Sequence, residues 1–512
     1  MTSDLRYVLD QSESRLNDEA IWSPTASLTF EQLEDRSRRV ANGLHARGVG
    51  PGQAFGILAK NRVEWPELVL ANVRAHTRYV PLNWHLTASE VAELLIDSGS
   101  RLLIVGSENT SVGREAAEIA GGLDVIELGA GYEAWLADQS DAPLPDGPMG
   151  TPMLYTGGTT GRSKGVTRSD MNIPTSKFGM LAAGFATNVH MPTDGRAMLC
   201  TPAYHGLGFG VIQGTLGQRH TLSILPRFDP VDTLRMIEER AITATAMVPT
   251  QFVRLLKLDA DVRTSFDVSS IEWVMHTAAP CPRWAKEAMI EWFGPTIVEL
   301  YGSSEGSGPV VCTSEEWLAH PGTVGKASPV LTLSIVGDDG DDLPAGEVGT
   351  VYVKRHDGTP EYHGDADKTR SIQLPDGRFT VGDIGWMDVD GFLYLADRRT
   401  DLILRGGVNI YPAEIEAMLS QHPTVADIAV FGIPDAELGQ SVKAVVEPAT
   451  GVTVDVDELM AYASEHLARF KLPQSIDVVD ALPREESGKL KKRLLRDPYW
   501  ADTETSTGGA PT

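Results

Sequence analysis

The chain has 512 residues, more than one compact core accommodates, so two or more domains are expected. Hydrophobic residues make up 42% of it and charged residues 22%, the balance of a soluble globular protein. The formal net charge of -26 argues against a nucleic-acid surface or an anionic-membrane anchor.

In chain order, the start (1–20) is polar and acidic and lacks the basic and apolar blocks of a signal peptide. Apolar spacing then predicts a helix over 30–47, a buried strand over 54–59, a helix over 65–74 and a strand over 101–105. That alternation predicts βαβ units and layered parallel sheets. Residues 330–354 are richer in strand signals and Gly/Asp turns, as in a smaller β-rich subdomain. A charged stretch at 397–401 follows a strand-like run at 391–396, and a domain boundary is placed there, between 1–398 and 399–500. The second part has its own small α/β pattern, with helices near 412–420 and 455–468. Residues 501–512 are small and polar and are expected to be disordered. The fold class is therefore α/β: a large N-terminal domain of layered α/β subdomains plus a β-rich subdomain, then a small C-terminal α/β domain. No apolar run reaches bilayer length. Three cysteines without metal-ligand spacing, Cys200, Cys281 and Cys312, suit a reduced, cytoplasmic setting.

The densest chemistry lies in Tyr155-Thr-Gly-Gly-Thr-Thr-Gly-Arg-Ser-Lys-Gly165. Glycines let a backbone turn tightly and aim N–H groups inward, threonine hydroxyls add donors, and Lys164 adds positive charge. The combination of Thr156, Gly157, Gly158, Thr159, Thr160, Gly161 and Lys164 suits a triphosphate. It is not a P-loop, because Lys164 is followed by Gly165 and the first-glycine spacing fails. A surface loop of the same composition would show the same string, so its meaning depends on the rest of the chain.

As a whole the loop resembles the phosphate signature of the acyl-adenylating superfamily: acyl-CoA synthetases, peptide-synthetase adenylation domains and beetle luciferases. Further matches follow in the family's order, from Tyr155 to Lys489. His276-Thr-Ala-Ala-Pro280 stands where the family has its Gly-Gly-Ala-Pro stretch, which implies Ala278, Ala279 and Pro280 beside adenine. Tyr301-Gly-Ser-Ser-Glu305 resembles Tyr-Gly-x-Thr-Glu. The resemblance implies that Tyr301 stacks on adenine, that Gly302, Ser303, Ser304 and the preceding Glu299 line the nucleotide, and that Glu305 binds Mg2+, with Thr159 as a second metal contact. Gly382-Asp383 resembles Thr-Gly-Asp-x-Gly, with Asp383 and Arg398 implied as ribose ligands. Arg405-Gly-Gly-Val-Asn-Ile-Tyr-Pro-Ala-Glu-Ile-Glu416 matches the segment past the hinge, where Gly406 and Gly407 would line a pantetheine tunnel. Pro483-Arg-Glu-Glu-Ser-Gly-Lys489 resembles the late catalytic-lysine motif, making Lys489 the implied catalytic lysine. Lys491, Lys492 and Arg493 read as a solvated basic patch, with a place near the 3′-phosphate of CoA as the alternative.

The family resemblance implies ATP, Mg2+ and CoA as cofactors and a small-molecule carboxylic acid as substrate. It further implies that the small domain is mobile and swings between two half-reactions. One departure stands at the hinge position, where relatives carry Asp or Lys and this chain carries Thr400; it predicts slowed thioester formation. Gly157 and Ser163 also depart from the commoner Ser and Pro. Family analogy places the acyl pocket around Tyr204, Gly208, Met247 and His276, with His205 gating the acid or thiol entrance. The three glycines from Gly206 to Gly210 are expected to leave width, and no Lys or Arg in these stretches points to a second acidic group on the substrate. The stretch 276–305 looks most like bacterial ligases for bulky polycyclic acids, steroid or terpenoid, and implies natural-product or sterol metabolism. A homodimer, and an acyl-acceptor protein in place of CoA, stay open as partners; a luciferase-like oxygenase and an inactive binding module are the other readings weighed.

Overall fold

The computed structural model describes residues 15–156, 164–167, 173–356, 358, 360–398, 401–406, 408–435, 437–485 and 488–506, with backbone alone at 156, 397–398 and 501–506.

Two largely parallel sheets form the bulk of the large domain. The first has five strands in the order Asp124–Glu127, Ser100–Val105, Ala54–Leu58, Arg78–Leu82, Thr151–Pro152, all paired in parallel. Every residue of Ala54–Leu58 is buried, as a strand covered on both faces requires. The second has nine strands, with Trp273–His276 between Ala244–Met247 and Ile297–Tyr301 in its parallel centre. One core joins the two sheets: Phe55 and Ile57 of the first share a cluster with Ala197, Leu199 and Leu222 of the second.

Local chemistry explains several element starts. Thr29 caps the helix Phe30–Ala46 with a reciprocal box to Gln32, and Thr87 does the same with Glu90 for Ala88–Asp97. Asp229 followed by Pro230 opens the helix Pro230–Arg240. The β-rich subdomain is an antiparallel sheet in the order Leu331–Val336, Gly349–Arg355, Asp383–Met387, Leu393–Arg398. A three-stranded sheet, Glu361–Tyr362, Lys164–Thr167, Leu154–Thr156, carries the two ends of the Gly/Thr-rich loop.

The last sheet orders Val408–Ile410, Ile403–Arg405, Gly439–Pro448, Val425–Asp435, with Ser475–Val478 parallel to Gly439–Pro448. Its own core includes Ile403, Ile415, Leu419, Val430, Val442 and Leu459. The protein is thus α/β with a large N-terminal and a small C-terminal domain. Composition predicted no structure from residue 501, yet the helix Lys492–Ser506 continues past that point. It is docked by Trp500, whose indole donates to the Gly432 carbonyl at 3.1 Å, and by Tyr499, whose hydroxyl donates to Asp477 at 3.1 Å.

Candidate functional site

The C-terminal ends of two neighbouring parallel strands form the floor. His276 ends one and Glu299 lies directly beside it on the next. Lys286, from the helix Arg283–Phe293, donates to Glu299 Oε2 at 2.5 Å, and His276 Nε2 lies 3.6 Å from the same oxygen. All three residues are buried, and burial, helped by the Lys286 charge, holds His276 well below the usual imidazole range. Its ring is therefore neutral and stands edge-on to Phe252. Beyond His276 the chain turns through Ala278, at φ 76, a left-handed conformation that favours glycine.

Tyr301, two residues past Glu299, donates its hydroxyl to Asp383 Oδ2 at 2.6 Å. Asp383 opens its strand directly opposite Arg398 on the neighbouring one, so the two expected ribose ligands share one rung of the ladder. Glu305 follows Tyr301 in a loop whose shape is set by Arg355, which donates to the carbonyls of Gly306 at 3.0 Å and Gly308 at 2.5 Å. A Cβ on Gly308 would lie 2.4 Å from the Tyr301 oxygen, so only glycine fits.

Two side chains missed in the sequence reach these charged groups from the segment between the second and third strands of the β-rich sheet. Tyr362 donates to Glu305 Oε1 at 3.2 Å. Asp365 pairs with Lys164 at 3.1 Å, and the Lys368 N–H together with that ammonium holds its carboxyl below the ordinary aspartate range. Neither had a local signal, since Tyr362 lies 57 residues from Glu305. Lys286 did have one. It sits on the same helix face as Met289 and Phe293, a charged residue on an apolar stripe.

His205 precedes the helix Gly206–Gly217 and packs on Tyr204 at 4.3 Å. Burial lowers its pKa to about 4, with the nearby Lys489 pushing the same way and Glu485 opposing. Its Nε2 is buried with no hydrogen-bond partner among the described residues. Lys489 is itself exposed, but the loop that carries it is seated on the large domain. The Cα of Gly488 is so close that an added Cβ would stand 2.7 Å from Thr250 Oγ1 and 3.1 Å from Val248 Cγ2. Between the domains lies a cavity of about 650 Å³ that Ala279, Pro280, Thr250 and Gly488 help to line.

The expected acyl-pocket residues Tyr204, Gly208, Met247 and His276 are all buried and are not among those lining that cavity. The glycines of 206–210 differ in purpose from the width expected of them. A Cβ on Gly208 would lie 2.6 Å from Ala203 Cα and the Pro202 oxygen, so Gly208 serves backbone packing. Gly210 faces Phe185, and Gly206 packs on Leu154, where an added Cβ would stand 3.2 Å from Cδ1. Gly406 occupies a hairpin turn at φ 58, its N–H on the Leu438 carbonyl, within the small domain. Gly157, Gly158, Thr159, Thr160, Gly161, Thr400 and Gly407 lie outside the described residues, as do the side chains of Thr156 and Arg398. The donor set at hand fits a magnesium nucleotide: a carboxylate at Glu305 for a hard cation, a lysine at each end for phosphate, and Asp383 for hydroxyls.

Residues 9–363 match the family model described as AMP-binding enzyme, and residues 414–489 match that of the AMP-binding enzyme C-terminal domain. The chain is 33% identical over 477 residues to feruloyl-CoA synthase of an Amycolatopsis species, spanning 92% of this chain and 94% of that protein. It is 31% identical to the fatty acid–[acyl-carrier-protein] ligase ScoC of Streptomyces coeruleorubidus, over 93% of this chain and 92% of the relative. It is 32% identical, over 97% of this chain and all of the relative (100%), to the Mycobacterium tuberculosis 3-[(3aS,4S,7aS)-7a-methyl-1,5-dioxo-octahydro-1H-inden-4-yl]propanoyl:CoA ligase. Among solved structures, ATP-bound MatB from Rhodopseudomonas palustris superposes with a TM-score of 0.84 at 29% identity, covering 98% of this chain and 99% of that one.

Proposed function

The chain belongs to the AMP-binding enzyme family, whose acyl-CoA ligases form acyl-adenylates from ATP, and from that premise we propose that it activates a bulky cyclic acid and transfers it to CoA. The observation that carries the reading is the seating of the Lys489 loop on Val248 and Thr250, beside His205.

In the first step a carboxylate oxygen attacks the α-phosphorus, the bond to the β-phosphate oxygen breaks, and pyrophosphate leaves with its electron pair. Two anions approach each other, so a fixed cation lowers the barrier by offsetting charge that grows in the transition state. Lys489 is the residue assigned to that place, and Lys164 to the departing phosphates. Tyr301 presents its ring to adenine, Asp383 accepts from the ribose hydroxyls and Arg398 donates to them. Glu305, steadied by Tyr362, and Thr159 would hold Mg2+, which supplies charge neutralisation to the phosphates when bound. His205, neutral and buried, orients rather than removes a proton at the acyl end.

In the second step a CoA thiolate attacks the acyl carbonyl and AMP leaves. Residues 1–398 and 399–500 act as the two bodies of the rearrangement, Thr400 is the pivot, and Gly406 and Gly407 line the thiol's path. With Thr400 in place of a charged pivot, thioester formation is expected to lag adenylation. Stopped-flow thioester formation as fast as adenylation would sink that point.

A polycyclic acid of steroid or terpenoid type is supported by the similarity to the ligase of a bicyclic propanoate. Mass spectrometry of products from pooled aryl, linear, steroid and terpenoid acids with ATP, Mg2+ and CoA tests both claims at once. A polycyclic acyl-CoA is expected; clear preference for long linear acids over every polycyclic acid rejects the substrate class. A carrier protein as acceptor is the second reading, supported by the similarity to the carrier-protein ligase. Acyl-AMP without thioester in the same assay would favour it. A cytoplasmic setting agrees with the three unpaired cysteines and with the lack of any helix, among the described residues, long and apolar enough to cross a membrane.

A further inference from the structure

Lys257 follows the last turn of the helix Pro249–Leu256, the helix whose first residues receive the Lys489 loop. Its ammonium leaves the large domain and donates to two main-chain oxygens of the small one, Val425 at 3.3 Å and Ala426 at 3.0 Å. These residues begin the strand Val425–Asp435. The carboxylates of Asp427 and Glu447 face the same ammonium.

The contact continues toward the proposed chemistry. Asp427, next in the strand, is held by both sides of the Arg484 guanidinium, with one bond of 2.8 Å from Nη2 and a second from Nε. Arg484 Nη1 then donates to the Gly488 carbonyl at 2.6 Å. Gly488 rests on Thr250, one helix away from Lys257, and Lys489 follows it in the chain. A short run of polar contacts therefore links Lys257 to the lysine loop, and both ends of the run stand on the same helix.

We propose that Lys257 is a positioning residue: it latches the small domain in the orientation that presents Lys489 for adenylation, and has no part in thioester formation. The inference rests on the reading of Lys489 as the catalytic lysine. Two features suit a latch that must open. Its acceptors are main-chain carbonyls, always present and never protonated. Its bonds are directional and charge-assisted, so a rotation of the small domain breaks them without separating a large apolar interface.

The test separates the half-reactions. Lys257→Met is expected to slow pyrophosphate release about 10- to 100-fold in kcat, the usual result of a misplaced reacting group, with little change in the KM for ATP. Thioester formation from supplied acyl-AMP and CoA should stay at the wild-type rate. Lys257→Arg, which keeps a charged donor, should recover most of the adenylation rate. Lys489→Ala is measured beside them. If Lys489→Ala is inactive in adenylation while Lys257→Met is as fast as wild type, the latch is overturned. An equal fall of both half-reactions in Lys257→Met, with a lowered Tm, would also overturn it, since that is the result of a merely structural role. If Lys489→Ala adenylates normally, the reading of Lys489 is what fails.

Discussion

The floor of the site and its roof are held in opposite ways. On the floor, His276, Lys286 and Glu299 are buried between a helix and two parallel strands, at 0%, 1% and 8% exposure. The roof is the small domain, whose Lys489 is exposed and whose hold on the large domain includes the two bonds of Lys257 and the seat of Gly488. Buried charges cannot change partners without a large desolvation penalty, so the floor is permanent. Polar contacts near water exchange for solvent at small net cost, so the roof can be made and unmade. A ligase that forms an adenylate and then turns the same intermediate toward a thiol needs one of each.

The hardest blow to the floor is Lys286→Met. It leaves the Glu299 carboxylate buried beside no cation, and unfolding free energy should fall by about 3–5 kcal/mol in denaturant titration. Removing both partners, as in Lys286→Met with Glu299→Leu, should restore much of that loss, because an absent pair leaves no buried charge. An unchanged midpoint in the single variant would place the floor in the same class as the roof.

Lys489→Ala makes the converse case. Pyrophosphate release should drop about 10²- to 10³-fold, while the unfolding midpoint stays put. A stability loss comparable to that of Lys286→Met would erase the distinction.

Acid probes the site through two neutral rings, one on the floor and one beside the lysine loop. His276 and His205 have lowered pKa values in the fold, the latter about 4, whereas the unfolded chain takes up these protons near the ordinary imidazole value. The unfolded state therefore binds more protons as pH falls, and stability declines as pH drops through the ordinary imidazole range near about 6.5. His276→Phe should make that slope shallower, and activity at about pH 8 then reports on packing. An undiminished slope would assign the acid sensitivity elsewhere.

Tyr362→Phe removes the hydroxyl that steadies Glu305. It should raise the Mg2+ concentration for half-maximal rate by about fivefold, about 1 kcal/mol, with no shift in Tm. Smallest of all, Ala278→Gly relieves a left-handed alanine and should add about 0.5–1 kcal/mol to stability, an effect visible in thermal melts.

Much of the fold was legible because its signals are local. The helices Phe30–Ala46 and Glu64–Ala75 and the strands Ala54–Leu58 and Ser100–Val105 lie within a residue or so of their expected bounds. A capping box and an apolar period act within one or two turns, so they are readable without the rest of the chain. The glycines at 206–210 were misjudged for the opposite reason. Their Cβ directions are decided by what packs beside the helix, which is backbone at Gly208, an aromatic ring at Gly210 and the Leu154 side chain at Gly206.

Residue order alone set the family resemblance of the strings Tyr301 to Glu305 and Gly382-Asp383, since such motifs sit in consecutive positions. The packed structure decided which of those groups are steadied, and by what. Tyr362 on Glu305, Asp365 on Lys164, Lys286 on Glu299 and Lys257 on the first residues of a strand far along the chain are pairings between elements. Such pairs leave no mark on either local sequence, because proximity there is created by sheet order and domain seating.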